Sequence, residues 1–243
     1  MAHQPLVNFL IAGVQKGGTT ALFDYLSDYP DIALPSEKEL HFFDDDARDW
    51  AQPDYADYHA HFPAPDGRPS GEATPIYAYW PGALERIAAY NPEMKLIFAL
   101  RDPVERAWSH WRMEHARGYE TRPFGWCIRE GRERLADAPP QLRRVYSYVE
   151  RGFYGAQLER VFALFPKHQV LVLKSEDLRR EPGPVLGRVR TFLDLPPAPA
   201  PAPRESHIGP QSGELAAEDI ACLREVYQAD SARLETLTGI RFP

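Results

Sequence analysis

The sequence predicts an α/β fold in which helices cover both faces of an open, mostly parallel β-sheet. Two observations predict it. Apolar segments of six to eight residues, which have the composition of buried parallel strands, alternate with longer segments that have helical periodicity. A glycine-rich turn also follows the first apolar segment, and doubly wound sheets bind their ligands outside the carboxyl ends of their strands.

The first predicted unit consists of a strand, a turn and a helix. Residues 6–13 (LVNFLIAG) form an apolar run that ends in glycine, and residues 19–29 continue with helical spacing. A helix is then predicted over residues 79–92, where an Asn-Pro pair stops it. Residues 95–100 (KLIFAL) are predicted to form the second buried strand.

The segment after this second strand contains the signals of a capped helix. Asp102 has the N-cap position, Pro103 the first helical position, and Gly118 stands beyond the end. A further helix is predicted over residues 153–165, followed by a third strand over residues 169–174. The alternation of strands and helices therefore continues along most of the chain.

The C-terminal part begins with a connector that cannot be helical. Residues 196–209 (PPAPAPAPRESHIG) contain five prolines in their first eight positions, which favours an extended polyproline geometry. The last helical segment covers residues 214–239, within a predicted helical cap over residues 210–243. We therefore predict one domain over residues 1–243, with a C-terminal cap.

Composition and charge exclude several classes of protein. The hydrophobic content of 44% is that of an ordinary globular protein, and the net charge of -7 is unevenly spread. Residues 1–75 contain 4 basic and 13 acidic side chains, whereas residues 101–151 contain 11 basic and 8 acidic ones. This asymmetry favours an anionic ligand bound by the middle of the chain. The acidic net charge, without an interleaved aromatic and basic patch, argues against nucleic acid.

The N-terminus and the cysteines predict where the protein resides. The opening MAHQPLVNFLIAG has no cationic n-region, and no apolar run approaches the roughly 20 residues that cross a bilayer. The only two cysteines, Cys127 and Cys222, lie far apart and have no metal-like spacing. We therefore expect a cytoplasmic protein without stable membrane insertion and without a metal, of undetermined oligomeric state.

The turn GVQKGGTT has the parts of an anion-binding loop in an unusual order. ATPase and GTPase loops read G-x-x-x-x-G-K-[ST], with the lysine directly before the hydroxyl residue that binds Mg²⁺. Here Lys16 comes before Gly17 and Gly18, and no lysine directly precedes Thr19 or Thr20. The glycines let the backbone approach an anion, and the helix after them adds its positive end.

Five segments, in this order, extend the pattern: GVQKGGTTAL, ELHFFD, GEATPIY, LIFALRDPVERAWSHW and GFYGAQLERVFALFP. With them the chain resembles the PAPS-dependent sulfotransferases, most closely the heparan sulfate sulfotransferase type and its small bacterial relatives. The resemblance covers about residues 9–193. It implies transfer of a sulfuryl group from 3′-phosphoadenylyl sulfate (PAPS) to a hydroxyl, or to an amine, with release of PAP and without a metal.

The resemblance also implies how the donor is bound. Lys16 corresponds to the catalytic lysine that neutralises the bridging oxygen of the leaving phosphate. Arg101 and Ser109 match the pair that binds the 3′-phosphate, for which arginine supplies forked donors and serine a compact one. The residues implied to hold the 5′-phosphosulfate are Gly17, Gly18, Thr19 and Thr20.

On the acceptor side, the resemblance implies a general base in the motif E-x-H-F-F-D. Its glutamate is Glu39, which we expect to draw off the acceptor proton. His41 is the alternative base, as histidine is in the cytosolic small-molecule branch. Asp44 lies on the same motif, and Glu72 and Thr74 of GEATP complete the residues expected near the acceptor. Lys38, just before this motif, either balances the glutamate's charge or contacts the sulfonate.

Two departures from the heparan type concern the acceptor and the nucleotide. Ala73 stands where those enzymes have a lysine that contacts acidic polysaccharide, which favours a small or neutral hydroxyl compound such as a sugar, a lipid headgroup or a secondary metabolite. Their C-terminal basic glycine loop is also missing, with Arg204, Ser206 and His207 as the nearest candidates to close over the nucleotide.

Two rival interpretations stay open. The first is an ATP-dependent kinase of similar fold, which metal dependence would distinguish. The second is a non-catalytic nucleotide-binding protein, which a single-turnover assay would distinguish.

Overall fold

A computed structural model describes residues 6–203 and 213–243. Its sheet contains four parallel strands in the order β2-β1-β3-β4. The strands are β1 (Phe9–Gly13), β2 (Gly71–Ala73), β3 (Lys95–Leu100) and β4 (Val170–Lys174). Because β1 and β3 lie in the middle, the turn after β1 stands at the centre of the sheet's carboxyl edge. The predicted α/β class with a parallel sheet is confirmed.

Helices follow the strands through the rest of the described chain. They are α1 (Thr19–Leu26), α2 (Ala56–His59), α3 (Ala83–Tyr90), α4 (Pro103–Ala116), α5 (Phe124–Ile128), α6 (Pro140–Tyr146), α7 (Tyr154–Leu164), α8 (Ser175–Arg180), α9 (Pro182–Phe192) and α10 (Ala217–Thr238). Short 3₁₀ turns cover Glu130–Leu135, Glu150–Gly152 and Lys167–Gln169. No helix within the described ranges has the length and apolarity needed to cross a membrane.

Most predicted elements appear close to their predicted positions. Strand β3 has the predicted bounds, and α4 begins as its capping signals require. The side chain of Asp102 accepts hydrogen bonds from the backbone N–H groups of Val104 (2.8 Å) and Glu105 (3.1 Å). Strand β2 was not predicted, because three residues are too few to show a periodicity.

The C-terminal segments agree with the prediction as far as the structure describes them. Residues 196–203 have no regular secondary structure, and residues 204–209 of the predicted connector lie outside the described ranges. Helix α10 confirms the helix of the C-terminal cap. It ends at Gly239, whose φ of 72° places it in the left-handed region typical of a helix C-cap.

The internal contacts divide the chain into two compact units. The first comprises Met1–Leu100 and Glu159–Ser206, and it contains the whole sheet. Its core packs β1, α1, α8 and α9 together through residues that include Phe9, Leu22 and Leu186. The single domain predicted from the sequence stays a prediction.

The second unit comprises Arg101–Leu158 and His207–Pro243. It is helical, and its core joins α4, α5 and α10 through buried side chains such as Val104, Phe124 and Leu223. Each unit therefore has a hydrophobic core of its own.

Candidate active site

The turn after β1 forms a tightly packed cradle, here called the anion cradle (residues 16–20). The N–H of Gly17 donates to the Val14 carbonyl at 2.9 Å. A Cβ atom at Gly17 would lie 2.1 Å from the Ala99 carbonyl oxygen of β3, much too close for any side chain. Lys16, which has a φ of 67°, precedes it and is half-buried. Close packing against the central strand therefore explains why glycine stands at position 17.

Gly18 is the N-cap residue of α1, and it leaves the start of the helix open to an anion. It has a φ of 88°, in the left-handed region that glycine adopts without strain. Because it has no side chain, the first N–H groups of α1 lack the acceptor that a serine or aspartate cap would provide. Thr19 is buried and Thr20 is half-buried at this end of the helix. The positive end of α1 and these donors together suit a phosphate or sulfate group.

Lys38 joins the anion cradle to the segment that contains the predicted base. Its Nζ atom donates to Thr20 Oγ1 at 2.5 Å and lies 3.6 Å from Glu39 Oε1. Burial lowers the pKa of Lys38, although the nearby Glu39 carboxylate opposes that shift. The sequence left two roles open for Lys38, and its contact with Thr20 could not be read from a position 18 residues away in the chain.

The base-bearing segment, here called the base loop (residues 39–44), lines up three titratable side chains. His41 Nε2 lies 3.7 Å from Glu39 Oε2, and His41 Nδ1 lies 2.9 Å from Asp44 Oδ2. The exposed fractions are 43% for Glu39, 45% for His41 and 0% for Asp44, so the row runs from the surface into the interior. The two ring nitrogens of His41 thus lie toward two different carboxylates, Nδ1 toward Asp44 and Nε2 toward Glu39.

The electrostatics favour an ionised Glu39. Burial alone would raise the pKa of Glu39, but hydrogen bonding with His41 and the charge of Lys38 outweigh it. The pKa of Glu39 therefore lies below its ordinary value. A carboxylate that is ionised near neutral pH can accept a proton, as a general base must.

The backbone of the base loop is unusual at two non-glycine residues. Glu39 has a φ of 61° and His41 a φ of 53°, both in the left-handed region that few side chains adopt. The end of β2 contacts both residues. The Glu39 N–H donates to the Ala73 carbonyl at 2.9 Å, and the His41 N–H makes a long hydrogen bond of 3.5 Å to Thr74 Oγ1.

The other residues predicted near the acceptor lie below the surface. Glu72, Thr74 and Asp44 each have 0% exposed surface. Thr74 Oγ1 donates to Glu72 Oε2 at 2.8 Å, and burial raises the pKa of Glu72 to about 7. This burial does not suit the direct acceptor contact expected from the sequence, because no surface of these three side chains faces solvent. Their role toward an acceptor stays a prediction, and Thr74 contacts the base loop at the His41 N–H.

The residues predicted for the 3′-phosphate belong to the second unit. Arg101 follows β3 directly, and its guanidinium Nε and NH2 atoms lie 3.0 and 2.7 Å from Glu105 Oε2. The Arg101 carbonyl accepts a hydrogen bond from the Tyr154 hydroxyl at 3.0 Å, which fixes the backbone at this point. Ser109 lies half-buried on α4. Their role toward a phosphate stays a prediction.

Two further predictions concern a nucleotide-closing segment and metals. Arg204, Ser206 and His207 lie outside the described residues. Within residues 6–203 and 213–243, no three His, Cys, Asp or Glu side chains are grouped so that they could hold a metal ion.

A cradle for an anion, linked through a lysine to an ionised carboxylate, suits a group-transfer enzyme. Comparison with known proteins gives the family. Residues 7–207 match the family model described as the Sulfotransferase domain. The match covers both the anion cradle and the base loop.

The names of individual relatives also contain the word sulfotransferase. The chain is 34% identical over 191 residues to human heparan sulfate glucosamine 3-O-sulfotransferase 3B1, covering 76% of this chain and 45% of that protein. It is 32% identical over 206 residues to mouse bifunctional heparan sulfate N-deacetylase/N-sulfotransferase 4, covering 79% of this chain and 23% of that protein. The chain thus spans about half or less of the length of these curated relatives.

A solved bacterial structure agrees over the full length. The sulfotransferase from Alicyclobacillus acidocaldarius superimposes with a TM-score of 0.81 at 29% identity, covering 100% of this chain and 98% of that one. The chain belongs to the sulfotransferase family.

Proposed function

We propose that this enzyme transfers a sulfuryl group from PAPS to a hydroxyl group of a small or neutral acceptor and releases PAP. The observation that carries the proposal is the link between the anion cradle and the base. Lys38 contacts Thr20 in the cradle and lies 3.6 Å from Glu39, so the anion cradle and the proposed base occur together within one compact unit.

The donor side fits an anionic phosphosulfate without a side chain in the way. Gly17 and Gly18 bring the backbone close, and α1 presents its positive end to the same place. PAPS supplies a sulfur–oxygen bond to a phosphate leaving group. As that bond breaks, negative charge develops on the bridging oxygen, and the ammonium group of Lys16 would stabilise it.

The acceptor side requires a base, because a hydroxyl is a weak nucleophile until its proton is drawn off. The acceptor oxygen forms the new bond to sulfur, and its proton passes to the carboxylate of Glu39. His41 faces that carboxylate at 3.7 Å and is held from the other side by Asp44. We therefore assign the base to Glu39 and the orientation of its neighbour His41 to Asp44.

The surroundings of the base favour an acceptor without strong negative charge. Ala73 is uncharged and fully buried, so this position offers no cation, whereas the heparan-type enzymes have a lysine there. The first 75 residues also have 13 acidic and only 4 basic side chains. A polyanionic glycan would meet repulsion there. A hydroxyl on a neutral sugar, a lipid headgroup or a secondary metabolite fits better.

Transfer from radiolabelled PAPS tests the proposal. The purified enzyme is incubated with PAPS and a panel of neutral sugars, lipid headgroups, phenols, amines and desulfated heparan chains, with and without a chelator. We expect sulfated product from at least one neutral hydroxyl compound, unchanged by the chelator. Product from an amine or a heparan chain alone would contradict the acceptor class, and phosphate transfer from ATP with Mg²⁺ would contradict the reaction.

A further inference from the structure

Two fully buried residues, Thr74 and Glu72, connect to the base loop through the His41 N–H. We infer that Thr74 and Glu72 are positioning residues, which hold the backbone of His41 so that its ring and Glu39 face each other. The inference rests on the proposed sulfuryl transfer for its catalytic consequence. Its structural part, that the Thr74 hydroxyl holds the backbone N–H of His41, can be tested without any substrate.

The base loop has a conformation that its own sequence does not favour. Glu39 and His41, two residues apart, both have positive φ values although neither is glycine. Such backbone conformations persist only where the surrounding structure imposes them, and they concentrate at functional sites. The described contacts from outside the loop to these two backbones both come from the end of β2: the Ala73 carbonyl and the Thr74 hydroxyl.

The Thr74 hydroxyl donates to Glu72 and can therefore only accept from the His41 N–H. A hydroxyl has one proton to donate, and Thr74 donates it to Glu72 Oε2 at 2.8 Å. Its lone pairs are therefore directed to the other side, where the His41 N–H lies at 3.5 Å. Glu72 acts as the acceptor that orients Thr74, and Thr74 acts as the acceptor that holds His41.

A purely structural role explains this arrangement less well. Glu72 and Thr74 are both fully buried, beside the buried hydroxyl groups of Tyr58 and Tyr77. Burying a carboxyl group costs stability that an apolar pair of the same size would avoid. The pair instead provides a directed acceptor next to the strained backbone of His41. The burial of the carboxyl group also raises the pKa of Glu72, but a protonated Glu72 keeps an oxygen that can accept from Thr74.

The test compares Thr74→Val, which keeps the side-chain shape but removes the hydroxyl, with Thr74→Ser, which keeps the hydroxyl. We expect Thr74→Val to lower kcat about tenfold, with the KM for PAPS and the affinity for PAP unchanged, and Thr74→Ser to restore most of the loss. In the ligand-free protein, the amide hydrogen of His41 should exchange faster in Thr74→Val than in the wild type or Thr74→Ser. Thr191→Val is the matched control, because that hydroxyl lies at an exposed position of α9 and donates to the Gly187 carbonyl.

Two additional variants keep the test decisive. Glu72→Gln retains an acceptor oxygen, and we expect a loss of kcat smaller than that of Thr74→Val. In a Glu39→Gln background, Thr74→Val should cause no further loss, because the residue acts through the base. Unchanged His41 exchange in Thr74→Val, or equal losses of kcat in both backgrounds, would overturn the inference. A wild-type enzyme that does not turn over PAPS would instead overturn the proposed function and leave the exchange comparison intact.

Discussion

The anion cradle and the base loop obtain unusual backbone conformations by different means. The cradle includes Lys16 with a positive φ, but it continues with glycine: the Ala99 carbonyl leaves no room for a Cβ at Gly17, and Gly18 has a φ of 88°. The base loop places Glu39 and His41 in the left-handed region and relies on contacts from β2 to keep them there. A site that binds through backbone N–H groups can consist of glycine, whereas a site that acts through side chains cannot.

The largest expected effect is in the cradle's one charged side chain. Lys16→Ala should lower kcat by about 10³-fold, because the lysine's charge is most useful as charge develops on the leaving oxygen. Binding of PAP should weaken much less. Steady-state kinetics and calorimetry with PAP measure the two effects. Lys167→Ala, at an exposed lysine, is the control. A Lys16→Ala enzyme with most of its kcat would remove the lysine from the chemistry.

The next effect is at the base. Glu39→Gln keeps the shape of the side chain but removes its basicity, so we expect kcat to fall by about 10²-fold while PAP affinity stays near that of the wild type. His41→Ala should be milder and should raise the KM for the acceptor. If Glu39→Gln is active and His41→Ala is inactive, the base is the histidine.

The pH profile checks the same assignment independently. A base works in its deprotonated form, so activity is lost as the pH falls through its pKa in the folded enzyme. Because the pKa of Glu39 lies below its ordinary value, the acidic limb of kcat/KM should lie on the acid side of that of an unperturbed glutamate, wherever the fold survives. Glu39→Gln should abolish this limb. An acidic limb near pH 6.5 in the wild type would indicate a histidine base.

A smaller effect is expected for Gly17→Ala, which tests the backbone packing of the cradle separately from its charge. Gly17→Ala places a methyl group against the Ala99 carbonyl, so we expect a destabilisation of about 2 kcal/mol and weaker PAP binding. Thermal unfolding and calorimetry measure both. Gly187→Ala is the matched control, because no atom lies within 4 Å of its added Cβ and alanine favours the helix. Equal stability of the two variants would contradict the packing argument.

The smallest effect is expected at Arg101. Its guanidinium is paired with Glu105, so a phosphate must compete for it. Arg101→Ala should raise the KM for PAPS about tenfold with a smaller change in kcat, because the 3′-phosphate is remote from the reacting sulfur. The variant should also lose the preference for PAP over adenosine 5′-phosphosulfate, as measured by calorimetry. Glu105→Gln should leave that preference intact. An unchanged preference in Arg101→Ala would place the 3′-phosphate elsewhere.

The sequence predicted those parts of the fold and site that local signals encode. Strand β3 has a continuous apolar run, α4 has a complete set of capping signals, and the cradle has two adjacent glycines. Each of these depends on neighbours in the chain, so a single sequence was enough.

Features that depend on distant contacts could not be predicted in the same way. Strand β2 has only three residues, and it pairs with β1, which lies about sixty positions earlier. The burial of Asp44, Glu72 and Thr74 follows from that pairing and from the aromatic side chains packed nearby. A motif indicates that these residues belong near the acceptor. Only the fold shows that all three side chains are buried.

The ammonium group of Lys38 lies between the anion cradle and Glu39, and it contacts Thr20 on one side and the Glu39 carboxylate on the other. Lys38 contributes to the low pKa of Glu39, and it also donates to a residue of the cradle. A bound anion that drew Lys38 toward the cradle would weaken its stabilisation of the Glu39 carboxylate, and by thermodynamic linkage the pKa of Glu39 would rise. With Glu39 as the proposed base, we expect an acceptor that enters after the donor to meet a stronger base than one that enters before it.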